Sequence, residues 1–135
     1  MGKQLFVNLP VKDLSKSAEF FKKLGFTFNQ QFTNESGGCL VLGENLYAML
    51  LVEKFFKTFT VKAIADAKKT TEVLVAISVD SKDLVDEIVE RAIAAGGKPF
   101  GQTQDHGFMY GRDFEDLDGH VWEIFWMDPA HVNKK

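Results

Sequence analysis

One order of elements occurs twice along this chain, and that repetition constrains its fold more than any single motif. QLFVNLPV (4–11) alternates as a half-buried strand does, with Leu5, Val7, Leu9 and Val11 on one face and Phe6, Asn8 and Pro10 on the other. Its proline marks a strand end or a sheet edge, because it cannot donate to a ladder. Asp13 or Ser15 then caps a helix to about Lys23, with Leu14, Ala18, Phe21 and Leu24 at helical spacing and Gly25 ending it. Three short apolar stretches follow, 26–33, 38–43 and 46–52, separated by Asn-Glu-Ser-Gly-Gly and Gly-Glu-Asn turn chemistry. The second half repeats the order. EVLVAISV (72–79) alternates like the first strand, and SKDLVDEIVERAIAAGG (81–97) is an amphipathic helix with Leu84, Ile88 and Ala92 inward. KPFGQTQ, FMYGRDFED and HVWEIFW are three further strand candidates.

The reading is an internal duplication of βαβββ modules: module one at 4–52, a connector at 53–71 and module two at 72–128, together forming a single domain over 1–135. Neither module alone hides both faces of its sheet. The expected α+β fold therefore has two curved mixed sheets around a cleft, with each helix outside, covering one face of its own sheet. A hydrophobic content of 45% supplies a core for that size. The net charge of −3, with Lys and Arg scattered, lacks the footprint of a phosphate-backbone binder, so no nucleic-acid partner is expected. The single cysteine, Cys39, cannot form an internal disulfide and reads as a small buried hydrophobe. MGKQLFV lacks an export pattern, and Leu5 stands where a myristoylation signal wants Ser or Thr. No apolar run approaches the roughly 20 residues of a membrane helix. A cytoplasmic protein with no membrane role is the expectation.

FVNLPVKDLSKSAEFFKKLGF resembles the first β-α unit of the vicinal oxygen chelate superfamily, which contains glyoxalase I, extradiol dioxygenases and bleomycin-resistance proteins. YGRDFEDLDGHVWEIFW is similar to its closing strand pair, in which an Asp-x-Asp-Gly turn leads into an aromatic-Glu-apolar strand. Through the duplication the likeness covers nearly the whole chain, and it is nearest to the small glyoxalase/bleomycin-resistance-like bacterial proteins. The resemblance implies a homodimer that binds a small molecule. In metal-dependent members it also implies four ligands, one from the first and one from the last strand of each module. Those positions fall on Phe6, Leu74, Met49 and Glu123. Only Glu123 offers a hard oxygen; Phe and Leu have no donor, and a Met thioether suits soft ions. No metal site and no nucleotide cofactor are expected, and a divalent metal enters only with the enzymatic alternative.

By alternation Val121, Glu123 and Phe125 share one face of their strand, and the family pattern turns Glu123 toward the cleft. Desolvated by Phe6, Met49 and Leu74, it would anchor a cationic or hydroxyl-bearing ligand, serve as a general base, or be satisfied by Asn8, Tyr110 or Arg112. The expected ligand-binding set is Phe6, Asn8, Met49, Leu74, Tyr110, Arg112, Glu123 and Phe125, with Glu123 the catalytic candidate. Tyr110 and Arg112 share parity, so both face the cleft or both face away. His120 reads as a surface or strand-edge residue, His106 as a loop residue near the cleft mouth, and His131 as an unconstrained tail residue. The connector's Phe55, Phe56 and Phe59 cap the cleft, close the module boundary or meet a second subunit. The expected function is metal-free binding of a small aromatic or cationic molecule in an apolar cleft anchored by Glu123. The alternative is a lyase, isomerase or dioxygenase of the same superfamily, using Glu123 as base or an atypical metal.

Overall fold

The computed structural model describes residues 2–132. It divides into two compact units, Met1–Asp66 and Ala67–Lys135, so the boundary falls inside the predicted connector. The first unit runs β1 (Leu5–Val11), α1 (Leu14–Lys23), β2 (Thr27–Phe28), a 3-10 turn (Gln30–Phe32), β3 (Gly37–Gly43), β4 (Leu46–Val52) and α2 (Glu53–Phe56). The second runs β5 (Leu74–Ser78), α3 (Lys82–Ala94), β6 (Lys98–Asp105), β7 (Met109–Glu115), β8 (Val121–Met127) and α4 (Pro129–Val132). Each unit has a four-stranded mixed sheet, ordered β1-β4-β3-β2 in the first and β5-β8-β7-β6 in the second. In each, the first strand lies parallel to the last and the remaining pairs are antiparallel. The predicted α+β architecture of two βαβββ modules is thus observed.

Local chemistry sets these elements. Asp13, not Ser15, caps α1, its carboxylate accepting from Lys16 N at 3.1 Å. Ser81 caps α3 by accepting from Leu84 N at 3.1 Å. Along α1 the buried residues are Ser17, Phe20 and Phe21, with Leu24 just beyond; Ser17 takes the inward place expected of Ala18. They cover Leu9, Val11, Leu40, Ala48 and Leu50 of the sheet. In the second unit Val85, Ile88, Val89 and Ala92 of α3 lie over Val75, Phe114, Trp122 and Ile124. The Phe114 and Trp122 rings are nearly parallel, with centroids 6.5 Å apart. Each fully buried aliphatic or phenyl side chain contributes about 1.5–3 kcal/mol, so these one-sided layers carry most of each unit's stability.

Several boundaries differ from the sequence reading. The strand expected over 26–33 is only Thr27–Phe28, because the Asn29 side chain accepts from Gln31 N at 3.0 Å and turns the chain into the 3-10 turn. The strand expected at 72–79 narrows to Leu74–Ser78. The connector begins as α2, which packs near β1 and β4 and sets Phe55 edge-on to Phe59.

The Asp-x-Asp-Gly turn between β7 and β8 is held by a buried carboxylate. Asp116 Oδ1 accepts from Asp118 N at 2.9 Å and His120 N at 3.0 Å, while Oδ2 accepts from Trp122 Nε1 at 2.9 Å. Burial pushes the Asp116 carboxyl up, opposed by nearby His120 and by the N–H donors of Trp122 and Asp118. His120 is only 8% exposed, not the surface residue expected, because the turn folds it in beside Asp116. Gly119 has φ of 91°. A Cβ there would lie 2.8 Å from Lys68 Cγ and 2.9 Å from the backbone of Ala67 and Lys68. Only glycine meets both demands. Gly119→Ala should therefore destabilise the protein by about 2 kcal/mol or more in urea unfolding, whereas alanine at the open Gly107, which also has positive φ, should cost less.

Candidate functional site

Since direct cross-strand partners share a sheet face, strand register decides which side chains can act together. In the first unit Phe6 pairs with Tyr47, Asn8 with Met49 and Pro10 with Leu51. Met49 in turn faces Cys39 across β3, and Tyr47 faces Val41. This is the face that α1 leaves uncovered. Phe6 is 43% exposed, and its ring stacks on Tyr47 with centroids 4.8 Å apart and planes 16° apart. The result is an aromatic platform with the exposed Asn8 amide and the half-buried Met49 thioether one register row away. Tyr47 is a member of this face that the sequence reading missed. Cys39 is fully buried, and burial pushes its thiol up, away from thiolate chemistry.

The helix-free face of the second unit forms a grid. Leu74 pairs with Val121, Ala76 with Glu123 and Ser78 with Phe125. Glu123 then faces Asp113, and Phe125 faces Gly111. Asp113 continues the row to Phe100. One row across all four strands thus reads Ala76, Glu123, Asp113, Phe100, with Leu74 50% and Phe100 39% exposed at its margins. Asp113 was not anticipated from sequence. Among the described residues neither Asp113 nor Glu123 forms a side-chain hydrogen bond or ion pair with another protein group. Burial first, and the Glu123 charge second, push the Asp113 carboxyl above the ordinary carboxylate range.

Tyr110 and Arg112 sit on the opposite face, which corrects the expectation that they accompany Glu123. Tyr110 pairs with Trp126 and Arg112 with Ile124, both one step out of phase with Glu123. Their partners lie on α3: Tyr110 Oη donates to Asp86 Oδ1 at 2.6 Å, and Arg112 donates to Asp86 at 3.0 Å and to Glu90 at 2.7 Å. The Tyr110 bond, aided by Arg112, holds the Asp86 carboxyl below its ordinary value despite partial burial. These residues pin α3 to β7. His106 and His131 flank Phe108: His131 stacks on that ring at 4.1 Å, and His106 lies 6.2 Å from it. His131 is therefore tied to the β6–β7 loop, not unconstrained.

Of the four positions expected for metal ligands, Phe6, Met49, Leu74 and Glu123, one carries an oxygen donor. Phe6 and Leu74 share the faces of Asn8 and Ala76, so the face is right and the atoms are carbon. Met49 holds a sulfur where the second module holds the Glu123 carboxylate. No group of three or more His, Cys, Asp or Glu side chains suited to a metal occurs among the described residues. This donor set does not suit a hard ion, which needs several oxygen or nitrogen ligands.

Two stability predictions separate the faces. The lowered Asp86 carboxyl stabilises the fold fully above about pH 4, and that contribution disappears as pH falls through the lowered Asp86 range. Asp86→Asn should thus lower the melting temperature at pH 7, with the deficit closing in acid. Asp113 has the opposite sign: its ionised form is disfavoured by folding, so the penalty exists above its raised pKa and vanishes below the unfolded value. Asp113→Asn should stabilise the protein by roughly 0.5 kcal/mol at pH 7 and by nothing near pH 3, read by thermal melts across pH.

Residues 3–43 match the family model described as bleomycin resistance protein-like N-terminal. No curated protein matches the chain significantly. Among solved structures, a hypothetical protein from S. aureus is 28% identical with a TM-score of 0.78, over 93% of this chain and 94% of that one. A glyoxalase/bleomycin resistance protein/dioxygenase family enzyme from Burkholderia phytofirmans has a TM-score of 0.78 at 18% identity, covering 93% and 99% of the two chains. A genomically encoded fosfomycin resistance protein from Listeria monocytogenes has a TM-score of 0.65 at 19% identity, covering 96% and 97%. The duplicated βαβββ architecture is thus the fold of these solved structures, and the first β-α unit with the strands after it is similar to the bleomycin resistance protein-like N-terminal model.

Proposed function

We propose that this protein binds a small aromatic or cationic molecule without a metal, with Glu123 as the polar anchor. The observation that carries the reading is the donor set. At the four positions where the superfamily gathers metal ligands, this chain has Phe6, Met49, Leu74 and Glu123. Three of them lack a hard donor atom, and the fourth, Glu123, is a half-buried carboxylate with no protein partner among the described residues. A carboxylate beside apolar side chains is weakly screened and meets a ligand cation or hydroxyl more strongly than one in bulk water. Leu74 and Phe125, on the same face of the second sheet as Glu123, supply apolar contact, as small-molecule sites generally require.

A second reading, a lyase or isomerase with Glu123 as base, is favoured by one observation. Asp113, its carboxyl raised by burial and by the Glu123 charge, stands directly across from Glu123, and a facing pair of carboxyl groups is a common form of acid–base couple. Substrate conversion that disappears in Glu123→Gln would decide for this reading.

The test is a thermal-shift and calorimetric screen of aromatic, cationic and thiol-conjugate compounds against the parent and Glu123→Gln, with metal content measured on the purified protein. Glu123→Gln should weaken the best ligand about tenfold, or ~1.4 kcal/mol, without lowering the melting temperature of the unliganded protein. Unchanged affinity would remove Glu123 as the anchor. Stoichiometric bound Zn, Ni, Fe or Mn would overturn the metal-free reading.

A further inference from the structure

We propose that the start of the connector is an interfacial anchor: an aromatic tip made by Phe55, Phe59 and Val61, with Lys54, Lys57 and Lys62 beside it in sequence, docks on an anionic lipid surface. This docking needs no ligand on either sheet. It differs from the absence of any membrane role expected from the sequence, where neither a spanning segment nor a lipidation signal occurs.

The tip is built by local hydrogen bonds. Its root, α2, packs near β1 and β4. From there Lys57 N donates to Glu53 O, Thr58 N to Phe55 O and Phe59 N to Phe56 O, each at 3.0 Å. Thr58 Oγ1 also donates to Phe55 O at 2.7 Å, and Lys62 N donates to Thr60 Oγ1 at 3.1 Å. These turns set the Phe55 and Phe59 rings edge-on, with centroids 5.1 Å apart. The apolar side chains nevertheless meet water. Phe59 is 60% exposed, Phe55 is exposed too, and Val61 is wholly so. An ordered segment that holds aromatic and branched side chains in solvent forgoes the burial that would ordinarily favour them.

Charge and size decide the occupant. Over residues 53–62 three lysines stand against the single acid Glu53, although the chain as a whole carries −3. Among the described residues the ammonium groups of Lys54, Lys57 and Lys62 form no ion pair. The tip is thus a local reversal of sign that complements an anionic surface. The exposed apolar area of Phe55, Phe59 and Val61 is on the order of 300 Å², well below the about 800 Å² that each side of a stable protein–protein interface buries. A bilayer asks for no matching pocket. Its headgroup region takes in a few apolar side chains, while lysine stems reach back to the phosphates. Each lysine near such a surface strengthens binding about fivefold. The negative remainder of the chain opposes this, so the association is weak, reversible and sensitive to salt.

The test is flotation of the full chain at low salt with vesicles of equal parts phosphatidylglycerol and phosphatidylcholine, and with phosphatidylcholine alone. The parent should partition at least tenfold more strongly onto the anionic vesicles and lose that preference at high salt. Lys57→Ala should lower the partitioning about fivefold, whereas Lys23→Ala, which removes the same charge from α1, should lower it less than twofold. Val61→Ser should weaken it severalfold without moving the melting temperature, because Val61 is fully exposed. Phe59→Trp keeps an aromatic ring on the tip and should shift its emission to the blue on anionic vesicles. Absence of flotation, equal binding to the two vesicle types, or equal losses in Lys57→Ala and Lys23→Ala would overturn the proposal. Flotation without a shift in the Phe59→Trp emission would reduce it to adsorption by charge and overturn docking through the tip. An emission shift with poly-L-glutamate but not with vesicles would assign the tip to an acidic protein and overturn the lipid reading.

Discussion

Everything functional in the second unit depends on the register of β8, which pairs in parallel with β5 on one side and antiparallel with β7 on the other. A strand's side chains alternate with a period of two, so a slip of one residue would exchange Glu123 with Trp122 or Ile124 and send its carboxylate into the core. Two devices hold that register. One is the row of buried side chains, Val75, Phe114, Trp122 and Ile124, that α3 covers. The other is Asp116, whose carboxylate closes the turn and reaches forward to the Trp122 indole. The same carboxylate thus fixes the turn and the identity of the face on which the neighbouring acids stand.

The sheet separates charge by side. On the helix side, every acid near Arg112 has a partner: Asp86 takes Tyr110 and Arg112, and Glu90 takes Arg112. On the other side, Asp113 and Glu123 stand together without one among the described residues. The first arrangement strengthens an α3–β7 contact that is already apolar, and its exposed ends limit what it adds. The second subtracts from stability. Groups that oppose folding and yet sit in ordered strands are where ligand chemistry is to be sought.

Much of this was legible in the residues. The duplication predicted the two βαβββ modules, because alternation in EVLVAISV and helical periodicity in SKDLVDEIVERAIAAGG repeat those of the first half. What escaped were facts of register. The parity of Tyr110 and Arg112 was plain, but their face relative to Glu123 depends on which residues close the turn; Glu115 and Val121 do so, and that pairing puts Asp113 opposite Glu123. A hairpin register read from the DLDG turn would have found Asp113 and removed Arg112. His120 was misjudged because a turn residue usually meets solvent, whereas this turn folds inward around Asp116. His131 was misjudged because a ring contact with Phe108 leaves no local sequence signal.

Both units pair their first and last strands in the same parallel fashion, yet the equivalent faces carry different atoms: an aromatic stack, an amide and a thioether in one, two carboxylates in the other. Within each unit the helix side carries the packing core, Leu9, Leu40 and Leu50 in one and Val85, Trp122 and Ile124 in the other. Helix-covered and helix-free side chains therefore alternate along the same strands. Substitution at positions such as 6, 49, 74 or 113 can therefore revise the chemistry of that side in single steps while the helix-covered core that builds the sheet stays intact.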